Sequence, residues 1–284
     1  MCSPFRIDRG RLRRSSPARE EYRVLVLAAL LWIAGTACGG ASDDAGTPTP
    51  GGAQTAVRKR VEVVATHPHD VTAFTQGLLV HGDSIYESTG LNGRSSVRQV
   101  ELGSGRVLRS TPLPRELFGE GLAQVEDRLV QLTWTSGIAR IYQLDTLELV
   151  GEWRYSGEGW GLCHDGNRFV MSNGSTRLTF RDESTFAETG SVEVKLDGQP
   201  LDELNELECV NGRVYANVWR TDSIAEIDSA TGNVTAWIDA SGLLTPAERN
   251  QADVLNGIAW DESRQAFLVT GKLWPRLFEV RFVE

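Results

Sequence analysis

The chain lacks several features that mark common classes of protein. Its 284 residues contain no Gly-x-Ser-x-Gly motif and only four histidines, so no nucleophile–base constellation of a serine hydrolase is visible. The apolar run Val24 to Ala34 has eleven residues, which is too short to cross a bilayer comfortably. Basic residues are also few beyond the N-terminal region: residues 39–284 hold 22 basic and 35 acidic side chains, a net charge of −13. Such a surface repels phosphate backbones, so we expect no nucleic-acid partner.

The first 38 residues have the composition of a targeting segment. Seven arginines come before or at the start of the apolar run, and Gly35-Thr36-Ala37-Cys38 follows it. Small residues before a cysteine resemble a bacterial lipobox, in which Cys38 would anchor a lipoprotein to the membrane, although Gly35 stands where leucine is usual. Plain secretion and an uncleaved anchor stay open, as does a start downstream of Met1. Each of these alternatives predicts an exported protein of the cell envelope, or one that is periplasmic or secreted.

The next segment, residues 39–57, is rich in Gly, Ala, Ser, Thr and Pro. It has too little apolar surface to fold, so we predict a flexible linker that holds a domain away from a membrane. Residues 58–284 are long enough for one sizeable core and are predicted to form a single, monomeric domain.

A short pattern recurs five times in this domain. Its copies are centred on residues 76, 120, 160, 206 and 256, with spacings of 44, 40, 46 and 50 residues. Runs of strand-forming residues separated by turn residues lie between the copies. A period of roughly 40–50 residues in such a sequence is typical of β-propeller blades. We therefore predict an all-β, five-bladed β-propeller, since a sixth blade would need a repeat that the sequence does not hold.

The last blade is one strand short at the C-terminus. Val61–Ala65, which precedes the first repeat, has strand composition and would close the ring by pairing with the final C-terminal strand. Between the fourth and fifth repeats, Thr245 followed by Pro246 and Glu248 is a helix start signal and predicts a short helix.

The repeats gather unlike side chains at one level of the predicted channel. Glycines in the pattern are explained by crowding of the inner strands at the axis. Crowding does not explain why the residue directly before the small or apolar position is of a different type in each copy. These residues are Gln76, Glu120, Trp160, Glu206 and Asn256. Four further candidates stand close to them in the blade register: Phe74, Trp134, Trp219 and Lys272. For tryptophans the alternative is packing between blades, which we favour for Trp153 and Trp237.

Aromatic walls with carboxylates, amides and a lysine suit a small polar substrate that carries an amine. Desolvation by such walls raises the pKa of a carboxyl group and prepares it for proton transfer near neutral pH. His67 and His69 flank Pro68 at a blade entry, which favours a loop over a metal site. We therefore expect no metal site at these histidines.

Two cysteines remain in the predicted domain. Cys163 and Cys209 occupy the same register of neighbouring repeats. An oxidising compartment makes a disulfide conceivable, whereas inner strands that are too far apart would leave two buried thiols. Both interpretations stay open at the level of the sequence.

The domain resembles a known family over residues 61–280. The matching stretches are Pro68–Asp70, Ala73–Leu78, Tyr86–Gly90, Phe118–Leu122, Leu132–Trp134, Gly157–Leu162, Leu204–Glu208, Tyr215–Trp219, Asp253–Ala259 and Thr270–Pro275. Together they resemble the plant-type glutaminyl-peptide cyclotransferases of plants and bacteria. The resemblance implies a five-bladed propeller that acts on peptides or proteins with an N-terminal glutamine. The implied reaction closes that glutamine into pyroglutamate and releases ammonia.

The resemblance also implies roles for the candidate residues. Glu120 would be the general acid/base, and Gln76 and Lys272 would bind or polarise the carbonyl group of the glutamine side chain. Asn205 and Glu206 would orient the substrate, with Glu206 a partner for its ammonium group. The walls and remaining contacts would come from Phe74, Trp134, Trp160, Trp219 and Asn256. No cofactor is expected, although a structural ion in the channel stays open.

A second interpretation assigns no catalysis to the domain. It is a propeller that binds peptide termini or another envelope protein. Release of ammonia from glutaminyl peptides would separate the two.

Overall fold

The computed structural model describes residues 55–284, so the predicted targeting segment and residues 39–54 of the predicted linker lie outside the described residues. The described part is almost entirely β-structure. Its first strand, β1 (Val57–Pro68), is longer than the predicted strand at residues 61–65 and begins at the last predicted linker residue. Across residues 55–284, no helix has the length and apolar character needed to cross a membrane.

Three antiparallel sheets of four consecutive strands follow β1. The first contains β2 (Thr75–His81), β3 (Ser84–Thr89), β4 (Ser96–Glu101) and β5 (Arg106–Pro112). The second contains β6 (Gly119–Val125), β7 (Arg128–Thr133), β8 (Ile138–Gln143) and β9 (Leu149–Arg154). The third contains β10 (Leu162–His164), β11 (Arg168–Met171), β12 (Arg177–Asp182) and β13 (Glu188–Glu193). A two-stranded hairpin, β14 (Lys195–Leu196) and β15 (Gln199–Pro200), comes next.

The other strands form one eight-stranded sheet around β1. In chain order they are β16 (Leu204–Val210), β17 (Arg213–Val218), β18 (Ser223–Asp228), β19 (Val234–Asp239), β20 (Leu255–Asp261), β21 (Ala266–Gly271) and β22 (Arg276–Val283). Their spatial order is β16-β17-β18-β19-β1-β22-β21-β20. Strand β1 pairs antiparallel with β22 from Arg60 opposite Val283 to Pro68 opposite Arg276, which confirms the predicted pairing of the two chain ends of the domain. Its first four residues also pair in parallel with β19.

The result is an all-β, propeller-like fold. Five strands, here called the inner strands, pack against one another in the order β2, β6, β10, β16 and β20, and β20 packs back against β2. Repeat glycines permit this close approach. A Cβ atom on Gly77 would lie 2.5 Å from the backbone nitrogen of Leu122, and one on Gly161 would lie 2.0 Å from the carbonyl oxygen of Asn205. The predicted crowding of inner strands is thus confirmed.

Two local predictions are settled by the structure. Cys163 on β10 and Cys209 on β16 form a disulfide with their Cα atoms 5.5 Å apart, so the inner strands are close enough for the bond. The predicted short helix is α1 (Pro246–Arg249), whose N-terminus carries a reciprocal capping box between Thr245 and Glu248.

Candidate active site

One end of the ring of inner strands opens into a cavity of about 240 Å³. Six of its nine lining residues come from two recurring positions of the sheets. Gln76, Glu120 and Asn205 are each the second residue of an inner strand. Trp134, Trp219 and Lys272 each follow the last residue of the strand that comes after an inner strand in the chain, namely β7, β17 and β21. Because each inner strand runs antiparallel to that next strand, these two positions meet at the same end of the ring.

Glu120 is the buried carboxyl group of this cavity. Its side chain is 5% exposed, and its Oε1 accepts a hydrogen bond of 2.9 Å from Nε2 of Gln76. Burial raises the pKa of Glu120 well above its usual value; the negative charge of Glu158 acts in the same direction, while Lys272 opposes it. A carboxyl group with a raised pKa can both accept and return a proton near neutral pH.

The amide of Gln76 is held in one orientation. Its Oε1 accepts a hydrogen bond of 3.1 Å from Nδ2 of Asn256, which also donates to the carbonyl oxygen of Thr75 at 3.0 Å. With its oxygen occupied in this way, Gln76 must direct its NH₂ group toward Glu120. One hydrogen of that group bonds Glu120, and the second is available to a ligand in the cavity.

Lys272 brings the only cation among the residues that line this cavity. It is 5% exposed, and its Nζ lies 4.9 Å from the ring centroid of Phe74, within cation–π range. Burial lowers the pKa of Lys272, while the charges of Glu120 and Asp253 act to raise it. The ammonium group is therefore weakly solvated and well suited to an oxygen that gains negative charge.

Aromatic side chains form the walls in two edge-to-face groups. Phe118 packs against Phe74 and Trp134 with ring centroids 6.1 and 5.8 Å apart. Trp160 and Trp219 form the second group, at 5.4 Å. Such rings bury the groups between them and shape a site for a small ligand.

Asn205 offers an unused acceptor to the cavity. The residue is 3% exposed, and its Oδ1 has no hydrogen-bond partner within residues 55–284. A buried amide oxygen without a partner is costly, so this position favours a ligand that donates an N–H group.

Comparison with known proteins identifies the family. A family model described as glutamine cyclotransferase matches residues 31–282. The chain belongs to the glutamine cyclotransferase family. The glutaminyl-peptide cyclotransferase of Arabidopsis thaliana is 43% identical over 227 residues, which cover 78% of this chain and 71% of that relative. The crystal structure of Myxococcus xanthus glutaminyl cyclase is 44% identical, with a TM-score of 0.73 over 80% of this chain and 98% of that one.

Eight residues that the resemblance to this family implied do line the cavity: Phe74, Gln76, Glu120, Trp134, Trp160, Asn205, Trp219 and Lys272. Phe118 also lines it and was missed. A signal for Phe118 exists in the sequence, because it stands two residues before Glu120 as Phe74 stands two before Gln76.

Glu206 and Asn256 were predicted to bind substrate, but neither lines the cavity. Glu206 is fully buried, and its two oxygens accept backbone N–H bonds from Leu78 on β2 and Ile258 on β20 at 3.2 and 2.7 Å. Burial raises its pKa well above the usual value, and nearby Glu208 adds to the effect. Glu206 therefore ties inner strands together, and Asn256 reaches the cavity only through Gln76.

His69, which lies between β1 and β2, is part of a buried hydrogen-bond network. His69 donates through Nδ1 to the carbonyl oxygen of Trp274 at 2.8 Å, and its Nε2 lies 3.1 Å from Oε1 of Glu87. Arg98 bonds both Glu87 and Asp70. Within residues 55–284, no group of three or more His, Cys, Asp or Glu side chains is placed to hold a metal ion.

Proposed function

We propose that this protein is a glutaminyl-peptide cyclotransferase of the ammonia-releasing acyltransferase class. It would convert an N-terminal glutamine into pyroglutamate. Membership of the family and the similarity to both relatives support the activity. The observation that carries the proposal is that Glu120 supplies the one carboxyl group among the residues that line the cavity, where it is bonded to Gln76 beneath aromatic walls.

The proposed chemistry needs one acid/base group. The α-amine of the substrate attacks the carbonyl carbon of its own side chain, and Glu120 takes a proton from the attacking nitrogen. Glu120 then returns the proton to the amide nitrogen, the C–N bond breaks and ammonia leaves. Both nitrogens are bonded to the same carbon in the tetrahedral intermediate, so one carboxylate can serve both.

The remaining cavity groups would stabilise and orient this intermediate. Negative charge develops on the side-chain oxygen of the substrate, where Lys272 and the second N–H of Gln76 can bind it. The free Oδ1 of Asn205 suits an N–H of the substrate amine or amide. The aromatic walls would keep the flexible side chain folded for attack, which lowers the entropic cost of ring closure.

We also propose that the sheets are the blades of a five-bladed propeller. The circular packing of β2, β6, β10, β16 and β20 supports this arrangement. So does the order of the eight-stranded sheet, in which β1 lies between β19 and β22 and completes the last set of four.

For the N-terminal segment we propose export and lipid attachment at Cys38, on the pattern of its arginines, apolar run and small residues. Labelling of cells with a radioactive fatty acid tests this. The protein should carry label and sediment with membranes, whereas C38S should be unlabelled.

The test of activity is ammonia release from a short peptide that begins with glutamine. Mass spectrometry should show the loss of one ammonia per peptide, and a chelator should leave the rate unchanged because side chains carry the chemistry. Tight binding of the peptide without ammonia release would overturn the proposal and favour a non-catalytic receptor for peptide termini.

A further inference from the structure

One carboxylate oxygen of Glu158 accepts hydrogen bonds from two tryptophans of the cavity wall. Its Oε2 accepts hydrogen bonds from Nε1 of Trp134 at 2.7 Å and from Nε1 of Trp160 at 2.9 Å. Trp134 follows β7 of the second sheet and Trp160 precedes β10 of the third, so Glu158 fixes the distance between the two indoles at the mouth of the cavity. Within residues 55–284, its Oε1 accepts no hydrogen bond and is free for a ligand.

Glu158 lies at the opening of the cavity, and its negative charge influences Glu120 inside. The residue is exposed, and Trp134 beside it is 41% exposed, whereas Glu120 at the inner end is 5% exposed. Its negative charge is one of the influences that raise the pKa of Glu120. Glu158 therefore marks the outer end of the site, within electrostatic reach of the reacting groups.

The direction of a bound peptide follows from the chemistry, if the proposed function holds. Both reacting groups, the α-amine and the side-chain amide, belong to the N-terminal glutamine and must lie near Glu120. The bond to the second residue is the only link to the rest of the peptide, so it must run toward the opening. The second side chain then lies at the mouth, beside Trp134, Trp160 and Glu158.

We propose that Glu158 is a specificity-determining residue that favours a basic residue, and disfavours an acidic one, immediately after the N-terminal glutamine. Its free oxygen and its charge would attract lysine or arginine at that position. The indoles that it holds would accept the aliphatic stem or the guanidinium plane of such a side chain.

The experiment compares kcat/KM for two amidated peptides, Gln-Lys-Ala and Gln-Glu-Ala, at low ionic strength. An exposed charge pair contributes modestly, so the wild-type ratio should favour lysine by roughly fivefold. In E158Q, which keeps an oxygen acceptor for the indoles, the ratio should fall toward one. In E158K it should reverse and favour the glutamate peptide. High salt should weaken the wild-type preference, because it screens exposed charges.

A matched control follows the last residue of β20. Glu262 is also exposed and accepts a hydrogen bond from a tryptophan, Nε1 of Trp260 at 2.6 Å, but it lies outside the cavity lining. E262Q should keep the wild-type ratio. R220Q removes the opposite charge beside Trp219, where Arg220 lies 3.9 Å from the ring centroid, and should change the ratio less than E158Q.

The outcomes are distinct. An unchanged ratio in E158Q and E158K, or an equal change in R220Q, would overturn the role of Glu158 while ammonia is still released. No ammonia from either peptide with the wild-type protein would instead overturn the proposed function.

Discussion

The side-chain nitrogen of Gln76 lies 2.9 Å from Oε1 of Glu120, although the two residues are 44 positions apart in the chain. Asn256, a further 136 positions beyond Glu120, fixes the other end of the Gln76 amide. Three inner strands therefore supply one chain of hydrogen bonds that ends at the proposed acid/base. Its members can be tested one at a time.

Replacement of Glu120 by glutamine should reduce kcat by roughly 10²–10⁴-fold, because an amide cannot carry the proton between the two nitrogens. Circular dichroism and peptide binding should stay close to wild type. The matched control is E208Q: burial raises the pKa of Glu208 to about 8, so at pH 7 it is already mostly neutral. E208Q should retain activity, and an active E120Q would remove Glu120 from its role.

Because Asn256 acts on Glu120 through Gln76, we expect mutations of Asn256 and Gln76 to have non-additive effects on kcat. N256A should lower kcat roughly tenfold, since one hydrogen bond that orients Gln76 is lost. Q76A should lower it further, because the group that contacts Glu120 is itself removed. The double variant should be no slower than Q76A alone. Multiplied effects in this cycle would mean that Asn256 acts independently of Gln76.

The pH profile of kcat/KM should show the raised pKa of Glu120. The reaction needs the carboxylate form, so the rate should fall as the pH drops through that pKa, well above the usual value of 4.5. K272Q removes a positive charge that favours the carboxylate, and its acidic limb should move to higher pH. E158Q removes a negative charge and should move the limb to lower pH. A limb near pH 4.5 in all three proteins would contradict the assignment.

Replacement of Trp160 should weaken substrate binding, whereas replacement of Trp153 should lower stability. W160A removes part of the cavity wall and should raise KM roughly tenfold with little loss of stability. Trp153 stacks on Phe186 with ring centroids 5.4 Å apart, away from the cavity. W153A should instead lower the free energy of unfolding by about 3 kcal/mol and leave KM unchanged. Unaltered substrate affinity in W160A would show that it is not a wall of the site.

The buried contacts of Glu87 with His69 and Arg98 should contribute to the free energy of unfolding. Burial disfavours the charge of Glu87, but His69 and Arg98 outweigh it and lower the pKa to about 2. E87Q leaves Arg98 buried with less compensation and should lower the free energy of unfolding by about 3–5 kcal/mol at pH 7. Because the folded pKa is depressed, the wild-type advantage should be complete above about pH 4.5 and disappear as the pH falls toward 2.

Urea unfolding of the wild type and of E87Q, from pH 7 down toward pH 2, measures the difference in their free energies of unfolding. E101Q is the control, because Glu101 forms an exposed pair with Arg106, and its loss should change stability little. A constant gap between wild type and E87Q down to pH 2 would contradict the pKa of Glu87.

The repeat predicted much of the site because it is a local pattern. The centre of the repeat recurs about every 45 residues, and a propeller-like ring brings equal positions together. The spacing of the repeat was therefore enough to name Gln76, Glu120 and Trp160, whereas Asn205 was named only by the resemblance to the family. An equal position in the repeat does not fix the direction in which a side chain points, however. Glu206 and Asn256 share the register, yet their side chains bond to strands and to Gln76.

The amino-acid sequence by itself determined the strand-rich repeat, the pairing of the domain's two ends and the residue types at the cavity, because these depend on composition and period. Only the tertiary structure decided the hydrogen bond between Gln76 and Glu120, the Cys163–Cys209 disulfide and the two indoles that share one oxygen of Glu158. Those contacts join separate strands, and distances of a few ångströms between them depend on how closely the glycines let the strands pack.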